Sequence, residues 1–410
     1  FQSQSKFKDA AEYYEKALAI QPGFYEAITN IGTIRQLEGN LEKAIELFKK
    51  SLNIKEDAKG HYNLAGAYRN QGNLLLAIQQ YRKAVELGAK DPELYSDLGD
   101  ALWHDGQIKD AKEFLNMAVK IDPNHPRANY QLAIFLYDNK KFEEAIKYFE
   151  QSQFEDYQQR SLYCLYKLKD FKSFKAKLLL LAKSKNNSPF LATLSSHFAH
   201  NFHEQDIYTF CPTPLDFVCK KKIPELVEND FHLVKNLLND INNADIGQRK
   251  QSRLTAGMQS SGNLFQRKER SFQGLRNALI NILHNYYLDI KHHDCEFARL
   301  FPKNIEFSSS WFVKMQNGGH LSSHIHEDGW ISGAVYLSIP SQDQPSNEGA
   351  IELSTDGDDY PRMHEDFPKK TILPEVGDVI FFPSSVFHRT IPFQSSEERI
   401  CIAFDMKPAN

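Results

Sequence analysis

An alanine returns through the first part of the chain at a near-constant step: Ala10, Ala44, Ala77, Ala111 and Ala145, at intervals of 34, 33, 34 and 34 residues. A fixed period of this length means stacked copies of one supersecondary unit, and nothing else in the chain constrains its fold as tightly. The surroundings of each alanine recur as well. Four positions on stands a large residue (Tyr14, Phe48, Tyr81, Leu115, Phe149), and three beyond that a small one (Ala17, Ser51, Ala84, Ala118, Ser152). Ahead of the alanine lie Ile31-Gly32, Leu64-Ala65, Leu98-Gly99 and Leu132-Ala133, then a turn at Gly39, Gly72 or Gly106. Small residues let two helices approach, large ones fill the groove between them, and glycine or proline ends each helix. The unit is a helix hairpin, and its clear copies run to about residue 153.

This pattern resembles the tetratricopeptide repeat. A degenerate sixth unit, Tyr157–Leu181, carries Phe174 where the small alanine stands elsewhere, and it is expected to cap the stack or adapt it to the next domain. The resemblance implies a concave surface that binds a protein or peptide; the plainer alternative is a scaffold only. Phe1 falls inside a repeat, so the natural chain is expected to begin upstream.

Residues 182–222 change character. The breaker cluster Lys185-Asn186-Asn187-Ser188-Pro189, a short amphipathic stretch over Leu191–Phe202 and the run Phe210-Cys211-Pro212-Thr213-Pro214 are expected to form a packed linker. Helical spacing returns over 223–241 and again over 272–290. Between them Ser252–Phe265 has no clear period and is expected to supply a strand and a turn. Beyond Phe301 the pattern becomes short β-type runs (311–315, 331–339, 350–353, 378–382 and 399–404) broken by glycine and proline. Many short strands without helices between them argue for a sandwich, barrel or jelly roll. The acidic segment Ser341–Glu375 is expected to form a lid or substrate loop.

Bulk properties exclude several classes. A net charge of −4 gives no reason to expect nucleic acid or an anionic membrane as partner, and no apolar run is long enough to span a bilayer. Five cysteines, odd in number and without a CxxC pair, fit neither a disulfide framework nor a zinc knuckle. The expected setting is the reducing cytoplasm.

The chemistry concentrates near the C-terminus, in Gly318-Gly319-His320-Leu321-Ser322-Ser323-His324-Ile325-His326, Phe387-His388-Arg389 and Arg399. Two histidines two apart on extended chain face the same side. A third histidine and a strand-borne arginine arriving later make the pattern of a mononuclear iron site. By contrast, His292, His293 and His364 are expected to be surface or core residues, Arg267-Lys268-Arg270 a solvated face, and Trp311 and Trp330 core.

In order, Gly318-Gly319-x-Leu321-x-x-His324-x-His326, Gly329-Trp330-Ile331-Ser332, Pro374-x-x-Gly377-x-x-x-Phe381-Phe382-Pro383-Ser384, His388 and Arg399 resemble the Fe(II)/2-oxoglutarate-dependent oxygenases. More narrowly they are similar to a bacterial group of such oxygenases fused to tetratricopeptide repeats. Gln259–Phe265 is similar to that group too, so the likeness covers about residues 205–407. The resemblance implies Fe(II), 2-oxoglutarate and O2 as cofactors. His324 takes the first ligand position, His388 the last, and Arg399 the role of holding the distal carboxylate of 2-oxoglutarate. Cys401 stands in the keto-acid pocket where the family often has serine. For the second ligand two sets stay open: His324/His326/His388, or His326/Asp328/His388. The implied activity is that of a dioxygenase, a hydroxylase acting on a protein or peptide recruited by the repeats, or else on a small molecule. The contrasting reading is an interaction protein whose barrel is inactive. The expected architecture is multidomain: an all-α tetratricopeptide-repeat solenoid over 1–181, the linker, and an α+β double-stranded β-helix (jelly-roll, cupin-like) domain over 223–410.

Overall fold

Helix hairpins occupy the first part of the computed structural model, which describes residues 2–183, 187–244, 246–249, 252–302, 304–327, 329–341 and 346–409. The helices are α1 (Gln2–Ile20), α2 (Tyr25–Leu37), α3 (Leu41–Ile54), α4 (Ala58–Asn70), α5 (Leu74–Glu86), α6 (Pro92–His104), α7 (Ile108–Ile121), α8 (Pro126–Asp138), α9 (Phe142–Ser152) and α10 (Tyr157–Lys167). Their boundaries follow from the repeat residues. Asn40 and Asn73 cap α3 and α5 by accepting from Lys43 N and Leu76 N, while Asp57 caps α4 by accepting from Gly60 N. Gly39, Gly72 and Gly106 turn the chain at φ +79°, +84° and +82°, a region that costs a side chain dearly. Ala44, Ala77, Ala111 and Ala145 are fully buried, as are Phe48, Tyr81, Leu115 and Phe149. Gly32 shows why the small position must be small: a Cβ there would sit 2.7 Å from the Phe48 ring.

A polar knot also sits in this stack. Asp97, buried on α6, accepts from Tyr62 Oη (2.9 Å), Arg69 Nη1 (2.8 Å) and Arg127 Nη2 (2.6 Å), and so joins α4, α6 and α8. Asp97→Ala would take the acceptor from Arg69 and Tyr62 and leave Arg127 only Glu93, and is expected to lower stability by about 1–3 kcal/mol in urea unfolding of the chain.

The chain divides into two compact units, Phe1–Leu168 and Lys169–Asn410. The division precedes the second helix of the degenerate repeat. That helix, α11 (Phe171–Lys183), sides with the second unit, where Phe174 packs on Phe198 with ring centroids 4.9 Å apart. The next helix, α12 (Pro189–Phe202), is buried nearly all round rather than amphipathic. Its cause is tertiary: Thr193 Oγ1 donates to Ser385 O at 2.7 Å, His197 Nε2 meets Asp356 at 3.0 Å, and Asn201 Nδ2 donates to Pro361 O at 2.8 Å. The expected linker is thus built into the second unit; its Lys185-Asn186 pair lies outside the described residues. A short strand, β1 (Cys219–Lys222), also comes from this segment.

The expected helix over 223–241 is observed as α13 (Pro224–Asn243), with non-helical backbone at Glu228–Phe231. Asn229 and Asp230 sit at φ +51° and +56°, a region their short polar side chains tolerate. After β2 (Gln248–Arg249) and β3 (Leu254–Ser260), α14 (Arg270–Ile290) is uninterrupted. The remaining strands are β4 (Ile305–Leu321), β5 (Ile331–Ser338), β6 (Ile351–Ser354), β7 (Lys369–Ile372), β8 (Asp378–Pro383), β9 (Phe387–Thr390) and β10 (Arg399–Pro408).

They form two antiparallel sheets, one of seven strands in the order β1-β8-β5-β10-β4-β3-β2 and one of three in the order β7-β6-β9. Arg399, Cys401, Ala403 and Asp405 of β10 oppose Met315, Val313, Trp311 and Ser309 of β4. Period-two alternation puts all of these on one face. On the other face Phe404 and Phe381 lie 5.9 Å apart, and Tyr286 of α14 packs 5.4 Å from Phe381. The architecture is therefore the expected solenoid of helix hairpins followed by an α+β domain of packed antiparallel sheets. The segment expected as a lid carries β6 and β7. Two of its acidic residues are engaged by this unit: Asp356 with His197 and Arg362, Asp358 with Arg253.

Candidate metal and keto-acid site

A cavity of about 390 Å³ is lined by both sheets: Trp311, Tyr336, Arg399 and Asp405 from the larger, Ile351 and His388 from the smaller. The loop after β4 adds His324 and His326. Sequence reasoning places these two histidines on one face of a strand. The structure differs, since β4 ends at Leu321 and both lie beyond it. What aims them is pairing with other elements. His324 and His388 exchange backbone hydrogen bonds (His324 N to His388 O, 3.1 Å; His388 N to His324 O, 2.9 Å), an isolated antiparallel bridge beside β9. His326 N donates to Ser384 O at 3.2 Å.

The three imidazoles come together. Ring centroids are 4.2 Å apart for His324 and His388, 5.0 Å for His326 and His388, and 5.3 Å for His324 and His326. A nitrogen from each lies within 4.8 Å of the other two. On all three rings Nδ1 is taken: by Ser322 O for His324 (2.8 Å), by Val386 O for His388 (3.3 Å), and by the Asp405 carboxylate for His326 (2.8 Å). These partners are acceptors, so each Nδ1 carries a proton and Nε2 is the nitrogen left to face a metal. Burial pushes the His324 imidazole down to about 4, helped by the charge of His326. Burial, then the neighbouring His324 and His326, holds His388 well below the ordinary histidine range. A ring kept uncharged offers a free lone pair, which is what a divalent metal needs. Metal bonds of ~2.1 Å imply ligand nitrogens ~3–3.5 Å apart, and the three stand within 4.8 Å of one another. Among the described residues this is the one cluster with such geometry. The alternative carboxylate, Asp328, lies outside the described residues.

Arg399 is the largest fully buried side chain of the second unit, 2% exposed. Its Nε donates to Gly349 O at 2.9 Å, its Nη1 stands 3.9 Å from the sulfurs of Met315 and Cys401, and its guanidinium lies 5.0 Å over the Tyr336 ring. No described carboxylate pairs with it. A buried cation in this state is costly without an anion to pair with. Cys401 stands beside it, its thiol pushed up by burial.

Sequence reasoning passes over Asp405. It lines the cavity, accepting from His326 Nδ1, Ser332 Oγ (2.7 Å) and Ser309 Oγ (2.9 Å). Burial would raise its carboxyl, but the charge of His326 and these three hydrogen bonds hold it below the usual range. The sequence does carry a signal for it: counting by twos along β10 from Arg399 reaches residue 405 on the same face. The tryptophans part company. Trp330 is core, packed on Phe210 and Phe297, whereas Trp311 lines the cavity and stacks on His326 at 5.6 Å and 14°.

Comparison with known proteins agrees with these observations. Residues 309–405 match the family described as "Putative 2OG-Fe(II) oxygenase". Residues 25–90, 62–126 and 96–159 match tetratricopeptide-repeat families. Bacteriophage adsorption protein A of Escherichia coli (strain K12) is 33% identical over 99 residues, or 24% of this chain and 10% of that protein. Cellulose synthase operon protein C of Pseudomonas fluorescens (strain SBW25) is 27% identical over 140 residues, or 32% of this chain and 11% of that protein. The chain thus spans about a tenth of the length of these relatives. Among solved structures, Pseudomonas aeruginosa pilF is similar with a TM-score of 0.40 and 22% identity, over 45% of this chain and 86% of that one.

Proposed function

We propose that this union of tetratricopeptide repeats with a 2OG-Fe(II) oxygenase-family domain is an Fe(II)- and 2-oxoglutarate-dependent dioxygenase, a hydroxylase acting on a protein or peptide that the repeats recruit. One observation carries the reading: three imidazoles and a buried arginine that no described carboxylate pairs with line one cavity. His324, His326 and His388 would hold the metal through Nε2. Arg399 would hold the far carboxylate of 2-oxoglutarate through two charge-assisted hydrogen bonds, with Tyr336 and Cys401 packed against it. Bound iron, with 2-oxoglutarate and O2, would supply oxidation of an unactivated C–H bond. The protein fixes orientation and keeps water out, with Trp311 and Phe382 as apolar walls.

Tetratricopeptide repeats generally mediate protein–protein contact, which supports a polypeptide substrate over a small molecule. No described helix is long and apolar enough to cross a membrane. Five cysteines, odd in number and without a CxxC pair, support a cytoplasmic setting.

The test is a thermal-stability titration with Mn(II), as an oxygen-inert stand-in for iron, followed by 2-oxoglutarate. Each ligand at a hundredfold excess over its Kd contributes about 2.7 kcal/mol, so each step is expected to raise Tm by roughly 5–10 °C. The second step should require the first. A metal response without a keto-acid response would leave a metal protein of another kind. Silence toward both would make this a repeat-based interaction protein with an inactive barrel.

A further inference from the structure

Asp405 is a largely buried carboxylate, and among the described residues no lysine or arginine lies against it. Its donors are the hydroxyls of Ser309 and Ser332, which oppose it on β4 and β5, and His326 Nδ1. Of the three, only the imidazole can bring positive charge to it. A buried carboxylate in this position calls for a cation, and a metal on the far nitrogen of the same ring would supply one.

We propose that Asp405 is the positioning residue of the metal site, orienting His326 and strengthening its Nε2 as a ligand by accepting from its Nδ1–H. The reading rests on the oxygenase function proposed above. The hydrogen bonds close a ring that fixes the imidazole. Asp405 takes the Ser332 hydroxyl, Ser332 lies 2.8 Å from Ser384 Oγ, and Ser384 O takes the backbone N–H of His326 at 3.2 Å. Trp311 stacks on the flat of the ring. The imidazole is thus held at its Nδ1, its backbone and its face, which leaves Nε2 one direction to point. The other two histidines give Nδ1 to neutral backbone carbonyls, so the site's strongest ligand is expected to be His326.

The test is Mn(II) affinity of the full chain, read from the electron-spin-resonance signal of free Mn(II) in the absence of 2-oxoglutarate. Asp405→Asn keeps the shape and an acceptor oxygen but removes the charge, and should weaken binding about tenfold; Asp405→Ala should approach a hundredfold. The unfolding midpoint of the metal-free variants separates a ligand effect from a folding defect. For a variant that does not fold, the unaltered protein loaded with Co(II) gives a second reading. Its His326 N–H proton, trapped against Asp405, should appear as a shifted resonance slow to exchange with solvent. An Asp405→Asn variant that binds Mn(II) within twofold of the unaltered chain, or a His326 proton that exchanges freely, overturns the proposal and leaves the oxygenase reading standing. Failure of the unaltered protein to bind Mn(II) overturns both.

Discussion

His388→Ala is expected to abolish metal-dependent conversion of 2-oxoglutarate to succinate. Removing a partner that merely orients a metal ligand typically costs 10–100-fold in affinity, so losing the ligand itself is expected to cost on the order of a thousandfold or more. The fold gives this variant a fair trial. His388 is joined to His324 through backbone N–H and carbonyl groups, which alanine retains. Phe382, 4.7 Å from the imidazole, loses a neighbour but keeps its place in a fully buried strand. Metal affinity, succinate yield and the unfolding midpoint together decide the matter. Undiminished succinate production would remove His388 from the site and with it the proposed reaction.

Arg399→Met is expected to separate stability from ligand binding in opposite directions. In the absence of ligand the guanidinium has one backbone acceptor, two sulfur contacts and the Tyr336 face, and no counter-charge among the described residues. Replacing it with an apolar chain of similar length relieves an uncompensated buried charge, so the unfolding midpoint of the ligand-free protein should hold or rise. Binding of 2-oxoglutarate should suffer. Losing one partner of a desolvated, hydrogen-bonded charge pair costs about 2–5 kcal/mol, roughly 30- to several-thousand-fold in Kd. Mn(II) affinity should change little, because the arginine makes its contacts with Gly349, Met315, Cys401 and Tyr336 rather than with the three histidines. A midpoint that falls sharply, with keto-acid binding intact, would make Arg399 a structural residue.

Much of the site is legible in the sequence. His324, His326, His388 and Arg399 are named from the motifs and the family these resemble, with Asp328 left open as a ligand, and the structure brings the four to one cavity. The local reason for the histidine pair is different from the one their spacing suggests. No strand holds His324 and His326; a bridge to His388 and a hydrogen bond to Ser384 do, and these depend on partners more than fifty residues away in sequence. Strands β7 and β9 are not legible because Lys369-Lys370-Thr371-Ile372 and Phe387-His388-Arg389-Thr390 lack the apolar–polar alternation that declares the equally short β6, Ile351-Glu352-Leu353-Ser354. Helix α12 departs from its expected amphipathic character for a different reason. Its polar residues Thr193, His197 and Asn201 imply a solvated face, and only the packed fold supplies their buried partners.

The sequence by itself determined the repeat unit, because a period near 34 residues with small and large positions in fixed order admits one way of pairing helices. It also determined the residue types of the site, because metal and carboxylate chemistry restrict the choice to a few side chains. Only the tertiary structure decided how those side chains are aimed and charged. The Asp405–His326 contact joins β10 to a loop through the register of three strands, and the bare charge of Arg399 follows from the neutral groups that β4, β5 and β10 bring around it. Both are properties of long-range pairing, where each residue's environment is set by segments that no local pattern encodes.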